Sequence, residues 1–345
     1  DTVELLKQLI KIPSFSSKEG EVADFLQKYL ADLFPGCVSR MGHSLVVDVH
    51  GEREGKTLLL CSHIDTVAVA PNWTRDPFAA VTEGEKIFGL GANDAGASVV
   101  SMIAALRMIG KPKQGRIILC LAAEEEAGSN GFFTIEAKLP RYDNAIFGEP
   151  TNMGMATAMR GAMRVTLCSH GVSCHASRPW EGKNAADQFV FDLQALRAID
   201  LKDKSPWGCA TIEPTIIRGG DSPNQIPGLI ETTLDIRTTP EKDNDWILAQ
   251  LKQTGVDFKV TANRRRPMFN NPDSKVVQTV RQAAPTVADY NFNGTCDMAF
   301  ATAPSIVMGP GVSDRSHVAD EYIMVSELAD AMRIYSAVIE SYFSV

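Results

Sequence analysis

The chain has 345 residues, 44% of them hydrophobic and 22% charged, with a formal net charge of −8, an ordinary balance for a globular protein large enough for two apolar cores. The acidic excess sets aside a general nucleic-acid role, which needs a basic surface, and no apolar run nears the roughly 18 residues that span a bilayer. The seven cysteines are scattered and form no CxxC pair, so neither a thiolate zinc site nor a redox motif is signalled, and with no leader-like start a reducing, cytoplasmic location is expected.

Along the chain, Val3, Leu5, Leu6, Leu9 and Ile10 mark a first helix that stops before Pro13. Ser16-Ser17-Lys18-Glu19 reads as the cap of a second helix, with Val22, Phe25, Leu26, Tyr29, Leu30 and Leu33 on one face. Apolar runs at 45–49, 57–61, 116–122 and 144–147 read as buried strands, with helices at 98–109 and near 131–139. Strands alternating with helices imply an α/β sheet covered on both faces. The texture changes after Glu149-Pro150. Between 161 and 267 the reading is strands at 164–169, 210–218, 229–237 and 256–261 with helices at 185–199 and 243–254, an α+β insert around a four-stranded antiparallel sheet. The basic run Arg264-Arg265-Arg266 reads as a solvated loop rather than an anion site. After Asn270-Asn271-Pro272 the α/β texture returns and ends in a helix over 326–343. The expected organisation is a catalytic α/β domain with a mixed sheet, residues 1–160 and 268–345, interrupted by a second domain at 161–267.

Ligands in an open α/β sheet gather beyond the carboxyl ends of the strands, so the residues after each apolar run carry the information. Leu58-Leu59-Leu60-Cys61 leads into Ser62-His63-Ile64-Asp65, the run 117–123 into Glu124-Glu125-Glu126, Ala145-Ile146-Phe147 into Gly148-Glu149-Pro150, and Ser305-Ile306-Val307-Met308 into Gly309-Pro310-Gly311 and then Ser316-His317. Gly89-Leu90-Gly91-Ala92-Asn93-Asp94 delivers one more acid just before a helix. Taken singly, a histidine after a strand is usually a polar loop residue and a glutamate run a solvated helix start. Together, imidazoles and carboxylates on one rim suit zinc, cobalt or manganese, and crowded like charges there need a cation. A dinucleotide loop at Gly89-x-Gly91 is disfavoured, because Asp94 would repel a pyrophosphate.

These segments resemble the family of dinuclear-zinc deacylases and peptidases that includes acetylornithine deacetylase, succinyl-diaminopimelate desuccinylase and carboxypeptidases of the same fold. The resemblance runs through 62–66, 89–96, 124–129, 148–151, His175-Ala176, 224–227, 235–237 and 309–317 in the family's order, and 309–322 is most similar to the acetylornithine deacetylase branch. It implies that His63 and Glu149 bind one metal, Glu126 and His317 the other, and that Asp94 bridges them. Glu125 matches the general base and Asp65 the carboxylate behind His63, which would fix the imidazole tautomer. The glutamate triplet leaves a register choice, taken here with Glu124 outside the ligand set. Many family members carry a lysine two residues after the bridging aspartate, where this chain has Gly96.

The resemblance further implies two divalent ions per subunit, zinc with cobalt or manganese as alternatives, and a homodimer in which the insert is a lid or dimerisation domain. His175 would donate to the oxyanion in the partner's site, while Asn224 and Arg237 would hold the substrate's carboxylate. Without the resemblance, Arg237 would read as part of an exposed strand face. Arg315, two residues before His317, either pairs with Asp314 or Asp320 or clamps the second carboxylate of a succinyl group. The expected activity is deacylation of a small N-acyl amino acid, N-acetyl- or N-succinyl-ornithine or citrulline, in arginine biosynthesis. The alternatives are a dipeptidase, aminoacylase or succinyl-diaminopimelate-type desuccinylase, and, outside catalysis, an amino-acid-binding protein that has no need of a base at Glu125.

Overall fold

Strand Arg53–His63 carries Leu58, Leu59, Leu60 and Cys61 with no exposure at all. It pairs in parallel with Gln114–Ala122 on one side and Asn144–Phe147 on the other, which makes it an interior strand, and consecutive side chains pointing to opposite faces are buried alike, so the apolar run is unbroken. Truncating such a side chain, as in Leu59→Ala, costs about 2–5 kcal/mol. The computed structural model describes residues 1–128, 130–203 and 208–344. Ser129, the last residue of the expected 124–129 turn, lies outside them.

The chain divides into two units, Asp1–Ala158 with Asn270–Phe292 and Cys296–Val345, and Met159–Phe269 with Asn293–Thr295. In the first, a six-stranded sheet runs in the order Val38–Met41, Ser44–His50, Gln114–Ala122, Arg53–His63, Asn144–Phe147, Ser305–Val307. Pairing is antiparallel among the first three strands and parallel across the rest, which makes the sheet mixed. Helix Ala97–Ile109 is apolar almost all round and buried, with Ser98 and Ser101 as its small polar positions. It packs against the long final helix Val325–Phe343, which Tyr335 ties to the sheet by donating to Met308 O at 2.6 Å and Tyr342 by donating to Asn144 Oδ1 at 2.9 Å. Helices Thr2–Ile10 and Gly20–Leu33 add Leu5, Leu6, Ile10, Leu26 and Leu30 to the same core.

The cap expected at Ser16–Glu19 does not form as read. No side chain caps the helix Gly20–Leu33. Ser16 Oγ donates instead to Asp65 Oδ2 at 2.7 Å, and Glu19 turns back to accept from Ser17 N at 2.7 Å. A hydroxyl near a buried carboxylate finds a charged acceptor, which outcompetes an exposed helix end.

The second unit is an antiparallel sheet in the order Thr211–Gly219, Leu229–Thr238, Gly161–His170, Phe258–Arg265. Met163, Val165, Leu167, Leu234 and Ile236 alternate onto one face and meet Leu196, Ile247 and Leu251 from the helices Ala185–Arg197 and Asn244–Thr254. Asn184 and Asp243 cap those helices, accepting from Ala186 N at 2.9 Å and Trp246 N at 2.8 Å. The basic run is a correction: Arg264 and Arg265 end a strand rather than sit in a loop, and Arg266 makes a forked ion pair with Asp245 at 2.6 Å.

Candidate metal centre

The parallel register decides which residues meet. His63 lies opposite Ala122, Cys61 opposite Phe147, and Phe147 opposite Val307. The segments that follow, with Glu125 and Glu126, Glu149, and the 309–317 loop, therefore leave the sheet at one edge. Asp94 arrives from the turn before helix Ala97–Ile109.

Three groupings result among the described residues, each with its nitrogen and oxygen atoms within 4.8 Å of one another: His63, Asp94 and Glu149; Asp94, Glu126 and His317; and His63, Glu125 and Glu126. Asp94 belongs to two of them. Its Oδ1 lies 3.1 Å from His63 Nε2 and its Oδ2 3.5 Å from His317 Nε2, so its two oxygens face different imidazoles. Glu126 Oε1 is 2.7 Å from His317 Nε2, and Glu149 Oε2 is 3.9 Å from His63 Nε2. His63 Nδ1 donates to the Asp65 carbonyl at 3.0 Å, which leaves Nε2 as the ring nitrogen that faces Asp94. The Asp65 carboxylate stands behind the same ring nitrogen and has further partners. It lies 3.6 Å from that imidazole and accepts the N–H groups of Glu125 and Glu126, both at 3.0 Å, so it pins the glutamate turn. Glu124 stands apart, at φ +56°, with its N–H on Glu19 Oε1 at 3.1 Å.

The electrostatics ask for a cation. Burial pushes the Glu149 carboxyl well above its usual range, and Asp94, Glu125 and Glu126 push it further while His63 pulls it back. Burial would also raise Asp94, but hydrogen bonding and attraction from His63 and His317 hold it below the ordinary value. The Glu126 hydrogen bond is the main reason His317 rises to about 9. Burial alone would lower His63, yet Asp65, Asp94 and Glu149 hold it well above the usual imidazole value. The ion pairs of Asp94, Glu126 and Glu149 go to His63 and His317. One buried and two partly buried carboxylates against two imidazoles are a poor closed system and a good donor set for divalent cations of the zinc, cobalt or manganese class. The residues fit two such ions sharing Asp94.

The remaining expected site residues fall into two groups. In the second unit, residues 174–176 and 224–226 form a short ladder, with Ala176 N donating to Asn224 O at 2.8 Å and Ile226 N to Cys174 O at 3.0 Å, which brings the backbones of His175 and Asn224 together. His175 Nδ1 accepts from Ser177 N at 3.2 Å and sits 2.7 Å from Ser177 Oγ, so the ring proton resides on Nε2. Arg237 shares a strand face with Asp235 and grips it through Nε at 2.7 Å and Nη2 at 3.3 Å. In the first unit, Arg315 takes neither partner expected of it. Its Nη1 donates to Glu327 Oε2 at 2.7 Å and its guanidinium covers the Tyr322 ring at 4.4 Å. Asp320 is engaged elsewhere, accepting from Thr74 N at 3.0 Å.

Two buried residues matter that the sequence reading gave no role. Glu321 accepts from Gly91 N at 3.2 Å, Asn93 N at 2.8 Å and Asp94 N at 3.0 Å. Burial and the nearby Asp94 charge push its carboxyl up to about 8 against those three donors. The N–H groups that a phosphate would need on the glycine turn are thus already taken, which removes the dinucleotide alternative. Asn93 bonds to Val312 and Ser316. The available signal was position alone: Asn93 adjoins Asp94, and Glu321 follows His317 by four.

A family model described as peptidase family M20/M25/M40 matches residues 59–341. Acetylornithine deacetylase of Klebsiella pneumoniae is 28% identical over 374 residues, covering 99% of this chain and 97% of the relative. A putative succinyl-diaminopimelate desuccinylase of Mycobacterium tuberculosis is 27% identical over 347 residues, covering 96% of each. Among solved structures, an M20 family metallo-carboxypeptidase from Sulfolobus solfataricus superposes with a TM-score of 0.83 at 17% identity over 100% of both chains. The Bacillus subtilis YXEP protein, described as a dinuclear metal binding peptidase from the M20 family, gives 0.73 at 15% identity over 98% of this chain and 97% of that one. At those identities the two structures speak for the fold alone.

Proposed function

The chain belongs to peptidase family M20/M25/M40, a family of metal-dependent hydrolases of amide bonds, and from that premise we propose that it removes the acyl group from a small N-acyl amino acid with two divalent cations bound. The observation that carries the reading is Asp94, whose two oxygens face separate imidazole–carboxylate groups at 3.1 and 3.5 Å. His63 and Glu149 would hold one ion, Glu126 and His317 the other, and Asp94 both, with zinc favoured by the nitrogen and oxygen donors. When bound, the two cations polarise the scissile carbonyl and acidify water.

The chain's own groups do the rest. Glu125, buried and with its backbone fixed on Asp65 at 3.0 Å, takes a proton from the attacking water and returns it to the leaving nitrogen as the carbon–nitrogen bond breaks. A free carboxylic acid and a free amine result. His175 of the partner subunit donates from Nε2 to the oxyanion, a role that supports a homodimer; loss of one such donor typically slows catalysis about 10²–10³-fold. The second unit offers surfaces suited to self-association: the edge strand Thr211–Gly219 exposes Ile216 and Ile217, and helix Ala185–Arg197 exposes Val190 and Phe191. Asn224 and Arg237 are assigned to the substrate carboxylate, with Arg237 exchanging its hold on Asp235 for the substrate.

The substrate assigned is N-acetylornithine or its citrulline analogue, in arginine biosynthesis, because residues 309–322 follow the deacetylase pattern. The desuccinylase relative at 27% identity supports the succinylated substrates as the competing reading, while Arg315, committed to Glu327, gives them no extra weight. A cytoplasmic site of action is supported by cysteines that are scattered, form no CxxC pair and are in four cases buried. The test is a panel of N-acetyl and N-succinyl amino acids and dipeptides, offered to zinc- and cobalt-loaded protein with amine release followed. Faster release from N-acetylornithine than from any dipeptide supports the assignment, and a preference for dipeptides overturns it.

A further inference from the structure

Asp94 and His317 are brought together by two loops from distant parts of the sequence, and two buried side chains join those loops. Asn93 is wholly buried, and its carboxamide treats Val312 as a strand would. Oδ1 accepts from Val312 N at 3.0 Å while Nδ2 donates to Val312 O at 3.1 Å and to Ser316 Oγ at 3.1 Å. Only an amide offers an acceptor and a donor to one backbone residue in this way. Gly311 lies beneath it at φ +78°, where an added Cβ would strike Asn93 Oδ1, so the close approach requires glycine. From the other side, the Glu321 carboxylate, 2% exposed, gathers the N–H groups of Gly91, Asn93 and Asp94. The loop that carries His317 is thus fastened to the loop that carries Asp94 by three bonds from Asn93, and Glu321, four residues past His317, adds three more.

We propose, resting on the two-cation reading above, that Asn93 and Glu321 form a positioning clasp that sets the spacing between Asp94 and His317. The clasp governs the affinity of the cation position made by Asp94, Glu126 and His317. It acts less on the position made by His63, Asp94 and Glu149, because only Asp94 of those three touches the clasp and His63 is fixed by its own strand and by the Asp65 carbonyl. Both clasp side chains are buried. Their effect reaches the reaction through where a ligand stands, and a 1 Å error at such a site is costly.

The test is a zinc titration of metal-free protein at pH 7 against a chromophoric chelator, repeated with cobalt so that the visible spectrum reports each position. Wild type should bind two ions in resolved steps. Asn93→Ala should weaken one step by about 10- to 100-fold and leave the other within about twofold. Glu321→Gln, which keeps the volume but turns an amide N–H toward the backbone donors, should weaken the same step. It also serves if the alanine variant does not fold, and circular dichroism of the metal-free proteins checks that point. In a His317→Ala background, Asn93→Ala should add nothing to the remaining step, because the geometry it maintains is already gone. Unchanged steps in both variants, equal weakening of both steps, or full additivity with His317→Ala would overturn the clasp. A wild type that binds a single ion overturns the two-cation reading itself, and the two failures are told apart by that one isotherm.

Discussion

Replacing Asp65 by asparagine removes one charge and changes one oxygen into an amide, and the structure states what that does. Oδ1 accepts from Glu125 N at 3.0 Å, while Oδ2 accepts from Glu126 N at 3.0 Å and Ser16 Oγ at 2.7 Å. Asparagine has one acceptor oxygen for two backbone donors that cannot turn away. Whichever way the amide is placed, one backbone N–H is left facing an NH₂ group in a buried site; the Ser16 hydroxyl can rotate and the N–H cannot. A buried unsatisfied donor costs about 1–3 kcal/mol, and the surviving bond falls from about 1.5–3 kcal/mol with a charged acceptor to about 0.5–1.5 with a neutral one. The sum is about 2–4 kcal/mol, or a fall of roughly 4–16 °C in the melting temperature of a unit this size. The assay is thermal unfolding of chelator-treated protein, followed by turnover of the reloaded enzyme. Turnover should drop as well, because the same two N–H groups orient Glu125 and Glu126. A melting temperature within a degree of wild type and full activity would show that the carboxylate does not pin the glutamate turn.

Three further outcomes are expected. Glu125→Gln should keep both metals and lose turnover by orders of magnitude, whereas Glu126→Gln should lose metal; elemental analysis beside kcat decides, and exchanged phenotypes would move the glutamate register by one. Mixing inactive His175→Ala with inactive Glu125→Gln should restore some activity as heterodimers gain one complete site, and no recovery after proven subunit exchange would confine His175 to its own subunit or to the fold. Away from the site, burial raises the Asp48 carboxyl, but Arg116, bonded through Nε at 2.6 Å, more than offsets this and holds it low. A depressed carboxylate stabilises fully above its ordinary value near 4 and loses that contribution as pH falls through the native one. Asp48→Asn should therefore flatten the acid limb of stability, read as urea midpoints from pH 6 down to 3, and an unaltered limb refutes the pairing.

Much of the fold was legible because buried parallel strands write themselves as unbroken apolar runs. Residues 57–61, 116–122 and 144–147 fall within strands Arg53–His63, Gln114–Ala122 and Asn144–Phe147. The convergence of His63, Asp94, Glu126, Glu149 and His317 was legible for the same reason, since a parallel sheet sends its chain exits to one edge. What escaped was decided by partners far along the chain. Ser16 looks like a helix cap until Asp65 is known to lie beside it, and Arg315 is read against Asp314 and Asp320 until helix Val325–Phe343 presents Glu327. Asn93 and Glu321 carry no local signature, because a carboxamide bound to a remote backbone looks in sequence like any polar loop residue.

The sheet order has a consequence for how the protein comes into being. Its central strand Arg53–His63 is flanked by Gln114–Ala122 and Asn144–Phe147, and the edge strand Ser305–Val307 is added only after the whole insert has been made. The donor groups therefore span from position 63 to position 317, and His317 cannot join the others until that last strand docks. Pairings so distant in sequence are slow to form and late to reward the chain. The group of Asp94, Glu126 and His317 is therefore the last to be completed, while His63, Asp94 and Glu149 all precede the insert. A nascent chain that has not yet docked its C-terminal segment lacks His317 and with it the second of the two proposed cation positions.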